Sequence, residues 1–359
     1  MAWLDRDRTP MLFATATSVT GGIITLTIGR LLLTDTPKNV VLIWTAAVFV
    51  GVAVISWAAT YAIRRARKGS QRAFLIISAF DHKYYIASFV RQLHNALDRI
   101  NIDLVLKVPD RDYDASAQYH HLERTLERRR DYIGGVIFAG EVDELRDDLA
   151  MFCRKSRLPV VFTDLEPFTE SEYPGNSVYV GYDTAQLGEL AGQWLVKHLR
   201  GVRRPRVLII ASREHSARQQ ECARVLKREL KDVTIFIDDS CEFARARAYE
   251  AVLNYVKSLG SHQCLHAIFC TDDETGLGAV DALAIPSPAT ESTVVVGIDG
   301  IAEAKALIDS GTSPYRATVV QNTHQLALSI VDLLVKMHRG RQFPRRKILE
   351  ASIYEAGHR

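Results

Sequence analysis

From Arg72 onward, short β-branched runs alternate with longer stretches of helical periodicity, and that alternation leaves few folds open. Runs at 73–78, 103–107, 135–139, 160–163, 177–180, 206–211, 234–237, 267–270, 293–297 and 317–321 read as strands, with helical patterns between them, as in 86–99, 184–199 and 322–337. Strand, helix and strand in succession make the βαβ unit, whose parallel strands must be covered on both faces by crossover helices. Ten strands are more than one doubly wound sheet usually carries. The pattern therefore predicts an α/β fold of two Rossmann-like lobes with parallel sheets and a hinge. The expected lobes are 71–180 with 322–350, and 181–321 with 351–359. No internal repeat or low-complexity tract interrupts them.

Residues 1–70 differ in kind. Positions 11–29 and 40–63 carry no charge, and a run of about 20 apolar residues is long enough to cross a bilayer as a helix. The expectation is a hairpin of two transmembrane helices, about 11–33 and 40–63, with Arg30 near an end where it can snorkel. A cleaved signal peptide is the competing reading of the first segment, but its apolar run is long for one. Arg64, Arg65, Arg67 and Lys68 follow the second span, Arg6 and Arg8 precede the first, and the connecting turn offers only Lys38 against Asp35. Positive charge stays on the cytoplasmic side. A multi-pass inner-membrane location with a cytoplasmic main domain is expected, and paired hairpins would make a homodimer.

Charge and cysteines narrow the chemistry. Of 45 basic and 42 acidic residues, residues 1–70 take eight and three, leaving 37 against 39 for the large domain. A nucleic-acid binder shows a basic surface, so nucleic acid is not an expected partner. The five cysteines include no Cys-x-x-Cys; only His262, Cys264, His266 and Cys270 approach metal spacing, and Cys270 falls inside a strand. Neither a metal nor a cofactor is expected, and free thiols fit a reducing compartment.

Ligands of parallel α/β folds bind beyond the carboxyl ends of the strands. Those positions here are polar or aromatic: Phe80 to Tyr85 after the first strand, Asp164-Leu165-Glu166 after the fourth, Ser212 to Arg218 after the sixth, then Phe243, Thr271-Asp272-Asp273-Glu274, Asp299-Gly300 and Gln321.

Four ordered segments carry a resemblance. They are Gly181-Tyr182-Asp183-Thr184 with Leu187-Gly188-Glu189-Leu190-Ala191-Gly192; Ile268 to Ala279, containing Thr271-Asp272-Asp273-Glu274; Val295-Val296-Gly297-Ile298-Asp299-Gly300; and Ala317-Thr318-Val319-Val320-Gln321-Asn322. On these, residues 71–359 resemble the type 1 periplasmic binding protein family, in particular its ribose-binding branch, which also supplies the effector domain of LacI-type repressors. The resemblance implies a sugar held in an interlobe cleft between aromatic faces, with carboxylates, amides and an arginine on its hydroxyls. Position by position it implies Tyr84 and Tyr85 as two aromatic contacts and Phe243 as a third, with Arg218, Asp164, Asp299 and Gln321 as polar contacts. His82 and Asp272 stand where the family has asparagines, and Leu165 where it has an arginine, which puts ribose itself in doubt.

Each residue has a plainer reading beside this one. Tyr84 and Tyr85 begin a helix and fit a core as well. Asp183 reads as a helix N-cap, and Asp273 and Glu274 as capping and first-turn acids. Arg213 and His215 read as a solvated loop, and the charge run 127–131 as an exposed helix face.

The function expected is a membrane-anchored sensor that closes on a small polar ligand and signals to a membrane or cytoplasmic partner; the alternative is the substrate-binding component of an ABC sugar importer, with the domain on the outer, periplasmic or extracellular, face. No helix-turn-helix precedes the domain. Nucleotide-loop, serine-elbow and zinc-protease motifs are absent, which leaves His82 facing Asp164 or Asp272 as the only acid–base case for an enzyme. Three acids against one arginine favour a sugar, polyol, amino sugar or nucleoside over a sugar phosphate or sugar acid.

Overall fold

The computed structural model describes residues 50–58, 71–80, 84–140, 142–260 and 262–357. The chain separates into two units, 1–69 and 70–359. Within the first, 50–58 is helical, with Val50, Val54, Ile55 and Trp57 exposed. The rest of the two expected spans lies outside the described residues. Among the described residues no helix is long and apolar enough to cross a membrane.

The second unit holds two six-stranded sheets. Its elements run β1 (Gln71–Ile76), α1 (Tyr84–Asp98), β2 (Ile102–Lys107), α2 (Ala115–Glu127), β3 (Gly134–Ala139), α3 (Val142–Ser156), β4 (Val160–Asp164) and β5 (Ser177–Tyr182). They continue through α4 (Thr184–Leu199), β6 (Arg206–Ile210), α5 (Ser216–Glu229), β7 (Thr234–Asp238), α6 (Arg245–Ser258), β8 (Ala267–Cys270) and α7 (Asp273–Leu283). The last are β9 (Val294–Asp299), α8 (Ala302–Ser310), β10 (Tyr315–Val320), α9 (Thr323–His338), β11 (Arg346–Leu349) and β12 (Ser352–Glu355).

The first sheet has the order β11-β5-β4-β3-β1-β2 and the second β12-β10-β9-β8-β6-β7. Both follow the doubly wound pattern, in which the strand order reverses beside the first strand and leaves a crevice there. Every strand pair is parallel except β10 with β12. β3, β5 and β9 are buried along their whole length, as strands covered on both faces must be.

The chain passes between the sheets three times: after β5 into α4, after β10 into α9, and between β11 and β12. Each passage takes three residues or fewer. The two C-terminal strands are absent from the sequence expectation. Short, charged and half-exposed, they read as loop.

Helix packing explains two of the glycines. α4 buries Leu187, Gly188, Ala191, Gly192, Leu195, Val196 and Leu199 as one face, the spacing of an amphipathic helix. A side chain at Gly188 would collide with the backbone of Arg218 on α5, and one at Gly192 would come within 3.0 Å of Val225. The missing side chains let α5 lie close enough to aim Arg218 inward.

Candidate functional site

The carboxyl ends of both sheets face one chamber. Tyr85 and Ile86 reach it from α1, Tyr113 from the β2–α2 loop, Phe138 from β3 and Asp164 from the end of β4. His215, Arg218, Phe243, Asp272, Glu274 and Asp299 come from the second sheet's side, and Gln321 from a passage between the sheets. The chamber measures about 40 Å³. That is space for a water or two and too little for a sugar-sized ring.

Arg218 organises the polar side. Its side chain is 2% exposed, its Nη1 donates to the Thr271 carbonyl at 2.7 Å, and its Nε has no partner. A buried guanidinium N–H without an acceptor is costly. His215 Nδ1 is likewise without a partner. Burial, and then the charge of Arg218, hold its imidazole neutral, well below the usual histidine range.

The carboxylates come from opposite lobes. Burial pushes Asp164 up to about 6 against the opposing pull of Arg218. Burial drives Asp299 well above the usual range; Arg218 opposes this while Asp273 and Asp272 add to it. Gln321 holds Asp299 twice, from Nε2 to Oδ1 at 2.7 Å and from its backbone N–H to the Asp299 carbonyl at 3.2 Å. The Tyr179 hydroxyl donates to the Asp164 carbonyl at 2.8 Å.

Four chamber residues have a backbone that L-residues avoid: Tyr113 (φ 59°), Asp164 (φ 71°), Phe243 (φ 56°) and Asp299 (φ 122°). Such conformations cost roughly 1–3 kcal/mol each and concentrate where function requires a particular aim. Across the cleft, the Tyr84 N–H donates to Glu274 Oε1 at 3.1 Å, setting an acid of the second lobe on the N-terminus of α1, where negative charge is favoured.

Of the expected site residues, Tyr85, Asp164, Arg218, Phe243, Asp272, Asp299 and Gln321 meet in the chamber. His82 lies outside the described residues. Tyr84 does not enter: it is 57% exposed and lines an outer groove of about 580 Å³ with Arg91, Lys305 and Asn322. Leu165 faces another outer groove beside Glu166 and Arg346. Asp272 lines the chamber while also capping α7, accepting from the Thr275 N–H at 2.9 Å.

One of the plainer readings needs correction. His215 is not solvated: the 3-10 turn Arg213–His215 leaves Arg213 outside and rolls His215 to 8% exposure. Asp273 and Glu274 sit in the first turn of α7, as expected, although the N-cap is Asp272 rather than either of them. Asp273 is fully buried, and Glu274 lines the chamber. Tyr113, which the sequence reading passes over, lies in a loop rather than at a strand end; its polar neighbours gave no signal. Asp183 is an N-cap, accepting from Ala185 and Gln186. Among the described residues no group of His, Cys, Asp or Glu is placed to hold a metal ion.

A model of the periplasmic binding protein domain matches residues 73–342. No curated protein matches the chain. Among solved structures it is similar to an ABC transporter periplasmic solute-binding protein from Actinobacillus succinogenes 130z with bound D-allose, at 16% identity and a TM-score of 0.71, covering 79% of this chain and 97% of that one. It is also similar to a solute-binding protein from Bacillus halodurans C-125 with bound myo-inositol, at 16% identity and a TM-score of 0.67, covering 80% and 95%. A third is the periplasmic binding component of the arabinose ABC transporter from Shewanella sp. ANA-3, at 17% identity and a TM-score of 0.64, covering 79% and 92%. At such identities the likeness shows the fold. The expected multi-pass inner-membrane location is overturned: no described helix can span a bilayer, and the solved structures sharing the fold include periplasmic solute-binding proteins.

Proposed function

Since this chain belongs to the periplasmic binding protein domain family, whose members bind rather than catalyse, we propose that it is the substrate-binding component of an ABC-type importer and takes a sugar or polyol. Of the two readings open from the sequence, importer component and membrane-anchored sensor, the relatives favour the first. D-allose, L-arabinofuranose and myo-inositol are bound by proteins of the same fold.

The observation that carries the reading is the buried guanidinium of Arg218, with Nε unpartnered, among carboxylates of both lobes and the rings of Tyr85, Tyr113 and Phe243. Vicinal hydroxyls suit a guanidinium and a carboxylate, and the C–H faces of a sugar pack on rings. Because Asp164 and Asp299 sit on different lobes, a hydroxylated ligand gains contacts in the closed form that the open form lacks. Only such a difference can shift the open–closed equilibrium. Asp272, where the resembling family has asparagine, extends the acceptable ligands to amine-bearing sugars and to nucleosides.

Isothermal titration of the protein with D-allose, L-arabinose and myo-inositol tests the sugar reading, and uptake of the tightest-binding probe by cells lacking the chain tests the importer role. Binding lost in Arg218→Ala supports the first. Equal binding by wild type and Arg218→Ala, or no binding of any neutral sugar or polyol in a wider panel, would end it.

A further inference from the structure

In the run Asp272-Asp273-Glu274 the outer two acids line the chamber and the middle one does not. Asp273 turns the opposite way, into the second lobe, and is fully buried. Its carboxylate collects three donors. The Tyr315 hydroxyl donates to Oδ1 at 2.6 Å, the Thr318 hydroxyl to the same oxygen at 2.7 Å, and the Ile301 N–H to Oδ2 at 2.8 Å. The Thr318 oxygen in turn accepts from the Gly300 N–H at 3.1 Å.

Gly300 and Ile301 are the two residues after Asp299. Both backbone amides leaving the Asp299 turn are therefore gathered, one directly and one through Thr318, onto a single carboxylate. The turn needs that restraint: Asp299 has φ 122° and Gly300 φ 72°, and an aspartate does not hold such a conformation unaided. The neighbourhood is cleared for the network as well. A side chain at Gly297 would collide with both the Tyr315 hydroxyl and the Asp273 carboxylate, and one at Gly276 with Tyr315. Two glycines on different elements thus leave room for one buried hydrogen-bond cluster.

We propose that Asp273 is the positioning residue of the second lobe: it touches no ligand, and by holding the Asp299-Gly300-Ile301 turn it sets where the Asp299 carboxylate meets ligand and Gln321. The effect on affinity rests on the cleft's being the sugar site; the effect on Asp299 does not. Networks of buried polar groups stiffen what they hold only when every member is satisfied. An asparagine at 273 keeps the shape and can still accept from Tyr315 and Thr318, but it presents an N–H₂ to the Ile301 N–H, itself a donor.

Two measurements test this separately. The first is a crystal structure of Asp273→Asn. The expected result is that the Asp299 carboxylate leaves hydrogen-bond distance of Gln321 Nε2 while both sheets superpose on the wild type; an unmoved Asp299 would overturn the proposal whether or not any sugar binds. The second is titration with whichever of D-allose, L-arabinose or myo-inositol binds the wild type. Asp273→Asn should weaken it at least ten-fold, and Tyr315→Phe, which keeps the Ile301 and Thr318 bonds, by less than three-fold although it too lowers Tm. Equal affinity losses in the two variants, tracking Tm, would make the role merely structural and overturn the positioning claim. Should Asp273→Asn not fold, Thr318→Val, which removes one donor from Asp273 together with the relay to Gly300, carries the same comparison against Tyr315→Phe, which removes one donor alone.

Discussion

The rings of Tyr113 and Phe243 lie 5.0 Å apart at 35°, and both residues have left-handed backbone, φ 59° and φ 56°. One belongs to a loop of the first sheet and the other to a loop of the second, so strained backbone on both sides brings two aromatic faces together across the cleft. Tyr113→Ala and Phe243→Ala should each weaken binding, and the double variant should lose less than the sum, with a coupling of roughly 0.5–1.5 kcal/mol as for other aromatic pairs. A double-mutant cycle by calorimetry measures it; strict additivity would mean the rings act independently.

Arg218 and Asp299 are the second prediction. Arg218→Ala or Asp299→Ala should cost at least about 1.5 kcal/mol of binding each, because a charged hydrogen bond is lost and its partner is left buried. Far-ultraviolet circular dichroism should stay that of a folded α/β protein. Undiminished affinity in either variant removes that residue from the site.

Gly188 tests how the arginine is aimed. Its missing side chain is what admits the Arg218 backbone, so Gly188→Ala should overpack the α4–α5 contact by roughly 1–3 kcal/mol. Denaturant unfolding reads the stability, and titration should show affinity falling with it, although residue 188 is not among those lining the chamber.

The pH dependence follows from Asp164, raised by burial to about 6. An acid raised above its unfolded value of ~3.9 favours folding while protonated, and that contribution fades as pH climbs through about 6. Asp164→Asn never has to bury the charge. Its Tm relative to wild type should therefore be highest near pH 8 and the difference should shrink toward pH 4. His215, depressed by burial, acts in the opposite sense in acid and cancels in this comparison. A difference that is flat with pH would contradict a raised Asp164.

Ligand charge is the last prediction. Asp164, Asp272, Glu274 and Asp299 line the chamber with Arg218, and a phosphate placed among them adds like charge in a poorly solvated space. A sugar phosphate should bind more weakly than its parent sugar, while the amino derivative should bind at least as well and lose affinity in Asp272→Asn. Tightest binding by the phosphate would refute the charge reading.

Strands packed on both faces are legible because burial demands apolar runs, as in the Ala-Ile-Phe-Cys of β8 and the Val-Val-Val of β9. β11 and β12 are not, since an edge strand such as Arg-Lys-Ile-Leu needs only one apolar contact to hold its place. The same contrast divides the site. Asp164 and Asp299 end buried strands, where the doubly wound fold puts ligands, and the pattern points at them. Tyr113 and His215 hang on loops whose direction depends on backbone torsion, and a polar run does not reveal which of its members turns inward. Asp273 opens a helix and so has the sequence signature of a capping acid; the cap is its neighbour Asp272, and only tertiary structure distinguishes the two.

The three short passages between the sheets have a mechanical consequence. Three straps so short permit bending but resist sliding and twisting, so any parting of the lobes is confined to something like a door's single axis. Gln321 lies on one of those straps, while every other residue lining the chamber is carried by one leaf or the other. The Gln321 Nε2 bond to Asp299 ties that strap to the second leaf, close to the axis.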